Sequence, residues 1–340
     1  MIRFFRRIRQ NLVSENKFTK YLLYAMGEIV LVVIGILLAL QINNWNDNRK
    51  SRLKINQILT KVREELALNI NSANEVTSYY RAKEKNLGRV LGKEVTIEDY
   101  KSTSLVYLIW NSNTSDISDD AAKELDGFAE LLNDEELELV SRVDKLYGDF
   151  KPTIDVMDKE IEQAVIDFDL RLKTTKNWYY LSNDPKKLPE SAFNYFLNDT
   201  LYLNDVAYYE SNGLENHFIY NTFFSDAAKK LYIDLCQYLN AKIDSELIKP
   251  IDSFKDIYGT YALKASIKQD TMIISRQGQR IVYRWIDENG SDTYSLFPES
   301  EDKFVIGYRF AELIRDKDNK VIGLMSTLGS TPQKEYEKVK

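Results

Sequence analysis

Residues suited to catalysis are scarce in this chain. His217 is the only histidine, which excludes a site built on several histidines and leaves no second histidine for another role. A Ser–His–Asp arrangement stays formally open, but no G-x-S-x-G nucleophile elbow accompanies it. We therefore interpret His217, in the segment NGLENHFIYN, as a helix-surface or capping residue.

The single cysteine is likewise predicted to have a structural role. Cys236 has no second cysteine to pair with, so the chain forms no internal disulfide. Its neighbours Leu235 and Leu239 predict that Cys236 is a buried apolar residue rather than an intermolecular cross-link.

Carboxylates are abundant, but their spacing predicts structure rather than chemistry. Two acidic clusters fall where helices are predicted to begin: Asp116, Asp119 and Asp120, then Asp134, Glu135 and Glu136. Acids at such positions are favoured by the helix dipole. The segment Asp316-x-Asp318-Asn319 starts like a calcium loop but lacks the glycine at position six and the closing glutamate, so a hairpin turn is predicted. The sequence therefore predicts no catalytic residue, no metal site and no cofactor, and favours a protein that is not an enzyme.

Residues 21–45 form the stretch that is expected to hold the rest of the chain at a membrane. Its polar-free part, Ile29–Leu40, would rise only about 18 Å as a helix, short of a bilayer core of about 30 Å. Tyr24 and Trp45 would lie roughly 31 Å apart, which suits two interfacial aromatic belts. We predict one transmembrane helix, about Leu22–Asn43, rather than the buried core helix of a globular protein.

One face of this span could mediate association. Gly27, Gly35 and Ala39 recur on one side, and Gly35-x-x-x-Ala39 is a small-xxx-small pair that allows close helix approach. Glu28 lies beside that face, and its ionised carboxylate would cost about 3 kcal/mol or more inside the bilayer. Two interpretations stay open: a homo-oligomer with Glu28 hydrogen-bonded across the interface, or a lone anchor with Glu28 near the headgroups.

Residues 1–20 are basic. Their arginines are Arg3, Arg6, Arg7 and Arg9. Apolar residues recur among them at helical spacing, which predicts a short amphipathic helix on an anionic membrane face. The charge predicts a cytoplasmic N terminus, although basic residues also follow the span. No small-x-small cleavage site follows the apolar run, so we expect a retained anchor in contact with membrane lipids.

Residues 46–250 are predicted to form an all-α helical bundle. An apolar stripe continues the first helix from Ile55 to Tyr80, and Gly88 and Gly92 end it. Thr96-x-x-Asp99 and Asn133-x-x-Glu136 are capping-box starts. Further starts are predicted at Pro152 and Ser225, and the last two helices at Leu201–Tyr220 and Ser225–Ile248. Short polar turns between such segments favour antiparallel packing.

Residues 251–340 are predicted to form a small antiparallel β domain, a barrel or a sandwich. Eight strands are expected: Gly259–Leu263, Ser266–Ser275, Gln279–Trp285, Thr293–Phe297, Phe304–Tyr308, Ala311–Arg315, Val321–Ser326 and Lys334–Val339. Ile281, Tyr283 and Trp285 alternate onto one face of their strand.

Two parts of the sequence resemble known protein families, and the first resemblance implies a location in the cell. SENKFTKYLLYAMGEIVLVVIGILLALQINNWND (Ser14–Asp47) resembles the N-terminal signature of an uncharacterised family of single-pass membrane proteins from Gram-negative bacteria, and the similarity extends more loosely through Phe150. It implies an inner-membrane protein with a cytoplasmic N terminus and periplasmic domains, but no activity. FKDIYGTYAL, SLFPESEDKFVI and DKDNKVIGLMS resemble the small β accessory domain of β-lactamase-type hydrolases, which carries no catalytic residues.

The net charge of the chain limits the classes of partner that it is expected to bind. The chain has 46 Lys and Arg against 52 Asp and Glu, a net charge of −6, and its basic excess lies near the membrane. A net acidic exterior does not neutralise phosphates, so no nucleic acid is expected. We expect a membrane-anchored envelope protein that binds or scaffolds an unknown envelope partner. The alternatives are a ligand sensor that signals by rearranging an oligomer and a hydrolase with an unrecognised site.

Overall fold

The computed structural model describes residues 18–102, 104–264, 271–287, 290–298, 300–306, 309–328 and 331–339. The chain divides into two compact units, residues 1–57 and residues 58–340. The amphipathic helix predicted for residues 1–20 lies almost entirely outside the described residues.

The first helix is much longer than the predicted span. Helix α1 runs over Phe18–Leu91, which confirms that it continues beyond Trp45. Residues Ile29–Leu40 on α1 are exposed, as Leu31 at 71% and Leu37 at 58% illustrate. Within Met26–Leu91, an 18-residue window with a mean hydropathy of 2.1 is entirely unburied. This length and composition are consistent with a membrane anchor or a signal sequence.

The predicted end of α1 is also confirmed. The Gly92 amide donates to Gly88 O over 2.8 Å, and Lys93 then adopts a φ of 56°. That left-handed residue ends the helical conformation just after Leu91.

From residue 58 onward α1 carries the predicted apolar stripe. Leu59, Val62, Leu66, Ile70 and Ala73 are completely buried. They recur every three or four residues, so one continuous side of the helix faces the interior of the unit formed by residues 58–340.

The other α-helices that the described residues form are α2 Ile97–Ser102, α3 Asp120–Lys123, α4 Asp134–Thr175, α5 Glu190–Asn198, α6 Thr200–Glu210 and α7 Phe218–Tyr238. Both capping boxes are confirmed. Asn133 Oδ1 accepts a hydrogen bond from the Glu136 amide at 2.9 Å, and the Glu136 carboxylate accepts one from the Asn133 amide at 2.8 Å. Thr96 and Asp99 exchange the equivalent bonds at the start of α2.

The predicted start at Pro152 is wrong, because Pro152 lies inside α4. An internal proline costs about 3 kcal/mol in a helix. Here the buried stripe runs across it from Val143 and Tyr147 to Ile154, so a single packed face outweighs the lost backbone bond.

The predicted break before Ser225 is also wrong. A π-helical turn, Ser211–His217, joins α6 directly to α7, and Ser225 is buried within α7. The helix ends at Tyr238 rather than at Ile248, and Asn240 takes a φ of 51° just beyond it.

The β region is a closed eight-stranded antiparallel barrel within the described residues. Its strands are β1 Gly259–Leu263, β2 Thr271–Gln277, β3 Arg280–Asp287, β4 Gly290–Pro298, β5 Lys303–Ile306, β6 Arg309–Arg315, β7 Val321–Leu328 and β8 Thr331–Lys338. Each pairs with the next, and β8 closes on β1 with Tyr261 opposite Lys338. The eight predicted strands overlap these eight, and the barrel rather than the sandwich is observed.

Side chains fill the barrel. Tyr261, Met272, Phe304 and Tyr336 are almost completely buried inside it, and the 3₁₀ helix Ile251–Ile257 packs its apolar side chains onto the same core. Gly323 permits this packing, because a Cβ there would lie 2.4 Å from the Tyr336 carbonyl oxygen.

Candidate functional site

The predicted interaction face of the apolar segment lies on the first half of α1. Gly27, Gly35, Ala39 and Trp45 are exposed there, and Glu28 is partly exposed. A Cβ at Gly27 or Gly35 would meet nothing within 4 Å. The face is therefore open to a second helix, and its use in an oligomer stays a prediction. Arg3, Arg6, Arg7 and Arg9 and the side chain of Tyr24 lie outside the described residues.

A polar cluster in the helical region surrounds the segment that follows residue 107. The carbonyl oxygen of Asn111 accepts hydrogen bonds from the Tyr79 hydroxyl at 2.5 Å and from the Tyr209 hydroxyl at 2.6 Å. The Lys83 ammonium donates to the same oxygen at 3.1 Å. Side chains from α1 and α6 thus hold one backbone position between two helices.

Lys83 is the charged centre of this cluster. Its ammonium also donates to Leu108 O at 2.7 Å and to the Tyr209 hydroxyl at 3.0 Å, which uses all three of its protons. It lies 4.5 Å from the ring centroid of Tyr79. Burial lowers the pKa of Lys83 to about 8. Because every proton has an internal acceptor, the geometry favours an anchoring role over nucleophilic chemistry.

Lys83 should make stability depend on pH between 8 and 10. Its pKa is about 8 in the folded chain and 10.5 when unperturbed, so the unfolded chain binds more protons in this window. The contribution of Lys83 to stability therefore rises with pH across this window, by at most about 2.7 kcal/mol over two pH units. Above pH 10 the raised pKa of buried tyrosines such as Tyr80 opposes the trend, because unfolded tyrosines lose their protons first.

Thermal unfolding of the full chain in detergent at pH 8 and pH 10 measures this effect, with Lys83→Met as the comparison. Between pH 8 and pH 10 the melting temperature should change more favourably for the wild type than for Lys83→Met. Equal pH dependence in both proteins would contradict the assignment.

The interpretation of His217 as a surface or capping residue is wrong. His217 is completely buried at the end of the π-helical turn. Its Nε2 is hydrogen-bonded to the Asp158 carboxylate of α4, and its ring meets Tyr80 edge-on with centroids 5.4 Å apart. Sequence periodicity could not reveal this, because the π-helical turn rotates His217 relative to an ordinary α-helical register.

Ser115, which belongs to the same hydrogen-bond network, does not complete this pair into a nucleophilic triad. The Ser115 hydroxyl bonds Asn221 Oδ1, and the Ser115 amide donates to Asp158 Oδ1 at 3.2 Å. Asn221 in turn donates to His217 O at 2.9 Å. The network joins the segment after residue 110 to α4 and α7, so its bonds serve packing in the same way as those of Lys83.

Two further predictions are confirmed. Cys236 is buried, with 1% of its surface exposed. Asp316 Oδ1 accepts from the amides of Asp318 and Lys320, both at 2.9 Å, which builds the predicted hairpin turn between β6 and β7. Among the residues described, no group of three or more His, Cys, Asp or Glu side chains is placed to hold a metal ion.

A cleft of about 570 Å³ lies within residues 58–340. We call it the helix–barrel cleft. Helix α1 contributes Asn74, Thr77, Ser78, Arg81 and Ala82. Its other walls come from α7, from the connection between α7 and the barrel, and from the ends of β4 and β5 at Pro298 and Val305. Binding sites are common at such junctions between structural layers.

The α7 wall of the cleft is polar and tied to α1. Thr222, Ser225, Asp226 and Lys229 lie on it, each at least 90% buried. The Ser225 hydroxyl donates to Asn74 Oδ1 at 2.7 Å, which bridges α7 and α1 directly. Ser225 is therefore held in place before any ligand arrives.

An ionic triad joins the helices to the barrel. Asp234 of α7 binds Arg142 of α4 with 2.5 Å between Nη2 and Oδ2, and its other oxygen pairs with Arg280 of β3. Arg280 also donates to Lys230 O at 3.3 Å. The triad fixes the barrel against α7, the helix that also forms one wall of the helix–barrel cleft.

Asp234→Ala should lower the free energy of unfolding by about 1–2 kcal/mol, because it leaves two partly buried arginines without their shared partner. Glu98→Ala is the matched control, since Glu98 pairs with Lys101 while 79% exposed, and it should cost less than about 0.5 kcal/mol. Denaturant titration of both variants checks the contrast. Equal losses would show that the triad does not stabilise the junction.

Sequence reasoning missed both the cleft and the triad. Arg142, Asp234 and Arg280 are far apart in the chain, and no local pattern links them. The only available signal was the predicted order of elements, which places helices next to a β domain but does not give their docking.

Comparison with curated proteins and with solved structures found no match. The likeness of the strands to a hydrolase accessory domain therefore stays a prediction. One family does match part of the chain, and it covers most of α1 and the segment after it that Lys83 anchors. Residues 28–117 match a family of unknown function, DUF6090.

Proposed function

We propose that this protein is a membrane-anchored envelope protein that acts by binding a small ligand in the helix–barrel cleft. The observation that carries the proposal is the cleft itself, a volume of about 570 Å³ walled by polar and charged side chains. That volume lies within the range of about 300–1,000 Å³ typical of small-molecule sites.

The distribution of packing supports binding at the cleft rather than inside the barrel. The barrel interior is occupied by large side chains such as Tyr261, Phe304 and Tyr336. The cleft, in contrast, joins elements from across the helical region and the barrel, and Arg81 and Lys229 line it from different helices.

The proposed address is the inner membrane of a Gram-negative bacterium, with a cytoplasmic N terminus and with residues 58–340 in the periplasm. The exposed apolar half of α1 supports an anchor, and the basic residues 1–20 support this orientation through the positive-inside rule. Membrane lipids are the partners of that segment. A second copy could pair on the face of Gly35 and Ala39.

A ligand screen tests the proposal. The full chain in a non-ionic detergent is heated with sugars, sugar acids, amino acids, dipeptides, dicarboxylates, nucleotides and quaternary amines. At least one class should raise its melting temperature. Ser78→Trp is the matched variant, because Ser78 is exposed at the cleft and an indole there would occupy it.

The stabilising compound should lose its effect on Ser78→Trp. Stabilisation of both proteins to the same extent would place binding elsewhere, and a panel without any effect would contradict a small-molecule function.

A further inference from the structure

We infer that the helix–barrel cleft binds a small organic anion whose body carries hydroxyl or amino groups. This inference rests on the proposed function, since it names the ligand class for the same cleft. Four properties of the cleft lead to it: its charge, its buried cation, the direction of its hydrogen bonds and its size.

The cleft is more positive than the chain around it. Its lining contains three cations, Arg81, Lys229 and Lys249, and two carboxylates, Asp226 and Glu246, a net of +1. The whole chain carries −6. A local cationic excess on an acidic protein favours a negatively charged ligand, and an arginine adds bidentate recognition of a carboxylate or phosphate.

One of these cations is held in a fixed place. Lys229 is only 8% exposed, and its ammonium lies 5.1 Å from the ring centroid of Phe297 on β4. Contact with the aromatic face stabilises the cation where water is largely excluded. An anion that reaches a shielded charge of this kind interacts with it more strongly than it would with a solvated surface lysine.

Two hydroxyl groups of the cleft, those of Thr77 and Thr222, can act only as acceptors toward a ligand. Thr77 donates to Asn74 O at 2.9 Å, and Thr222 donates to Phe218 O at 2.8 Å. A hydroxyl has a single proton, so both oxygens can only accept a hydrogen bond from a ligand. Together with the carboxylates of Asp226 and Glu246, they favour a ligand that also donates hydrogen bonds.

Asn74 adds a hydrogen-bond donor to these acceptors. Its Oδ1 already accepts from Ser225, so its Nδ2 is the group left to donate to a ligand oxygen. A compact molecule with an acidic end and a hydroxylated or aminated body satisfies donors and acceptors together, and the cleft volume of about 570 Å³ accommodates it.

Four probes separate the two required features. Gluconate carries a carboxylate and hydroxyls, glucose 6-phosphate carries a phosphate and hydroxyls, glucitol carries only hydroxyls, and adipate carries only carboxylates. Calorimetric titration of the full chain in non-ionic detergent should show gluconate or glucose 6-phosphate binding at least about tenfold more tightly than glucitol or adipate. Which of the two binds identifies the acid. Binding of glucitol or adipate as tight as that of the preferred acid would overturn the inference.

Charge variants locate the interaction. Arg81→Gln and Lys249→Gln should each weaken binding of the preferred acid by about tenfold or more. Lys249 is exposed, so its variant tests the site even where Arg81→Gln impairs folding. Lys255→Gln is the control, because Lys255 is 72% exposed on the 3₁₀ helix outside the cleft lining. Unchanged affinity in Lys249→Gln, or equal losses in Lys255→Gln, would overturn the inference.

The outcomes also separate the inference from the proposed function. If a neutral or cationic compound stabilises the wild type but not Ser78→Trp, while all four probes fail, the cleft binds a ligand of another class. If no compound passes the Ser78→Trp comparison, the proposed function falls together with the inference.

Discussion

Replacing Ile34 and Leu37 together by arginine should release the protein from the membrane. Both side chains are at least half exposed in the apolar part of α1. Each arginine near the centre of a span costs about 3 kcal/mol, so the pair shifts insertion by about 6 kcal/mol, or roughly 10⁴-fold. Alkaline extraction of membranes followed by immunoblotting measures the shift.

The matched control places two arginines on exposed leucines outside the span, at Leu68 and Leu137. These side chains are 71% and 45% exposed, and that variant should stay in the membrane pellet. Retention of the Ile34→Arg, Leu37→Arg protein after extraction would mean that α1 does not anchor the chain.

Phe196→Ala should produce the largest loss of stability in the helical region, about 3–5 kcal/mol. Phe196 is 1% exposed. Its ring meets Trp178 at 5.6 Å and Tyr202 at 5.1 Å between centroids. Removing it opens a cavity and also ends these aromatic contacts, each worth about 0.5–1.5 kcal/mol beyond the buried area.

Tyr180→Ala is the control for an aromatic residue outside the core, because its side chain is 77% exposed. It should change the free energy of unfolding by less than about 0.5 kcal/mol. Denaturant titration of both variants gives the comparison. A loss below about 1 kcal/mol for Phe196→Ala would contradict the close packing of this cluster.

Local patterns were sufficient for elements whose signals lie within a few residues. The capping box of Asn133 and Glu136, the end of α1 at Gly88 and Gly92, and the turn at Asp316 were each predicted correctly. All depend on hydrogen bonds between residues at most four positions apart. The strands were found for the same reason, since the alternation of Ile281, Tyr283 and Trp285 is a local property.

Predictions failed where tertiary packing overrode a local signal. Pro152 reads as a helix start, yet α4 continues through it because its buried face is continuous. His217 reads as a polar surface residue, yet a π-helical turn directs it into the core, where Asp158 meets its ring. Both cases involve partners or faces that propensity does not describe.

The candidate site lay beyond sequence reasoning because its parts are distant in the chain. Arg81, Lys229 and Lys249 come from two helices and a connecting segment, and Pro298 comes from the barrel. None of them belongs to a recognisable motif. Their common location follows from the docking of the barrel onto α7, which the triad around Asp234 helps to fix.

The central claim is that residues 58–340 form a binding unit whose cleft is open to the periplasm. Ser78→Cys tests it directly, because it adds one exposed thiol at the cleft to a chain whose native Cys236 is 1% exposed. A membrane-impermeant maleimide should label this variant, but not the wild type, in cells with a permeabilised outer membrane and an intact inner membrane. Labelling that appears only after lysis of the inner membrane would contradict the account.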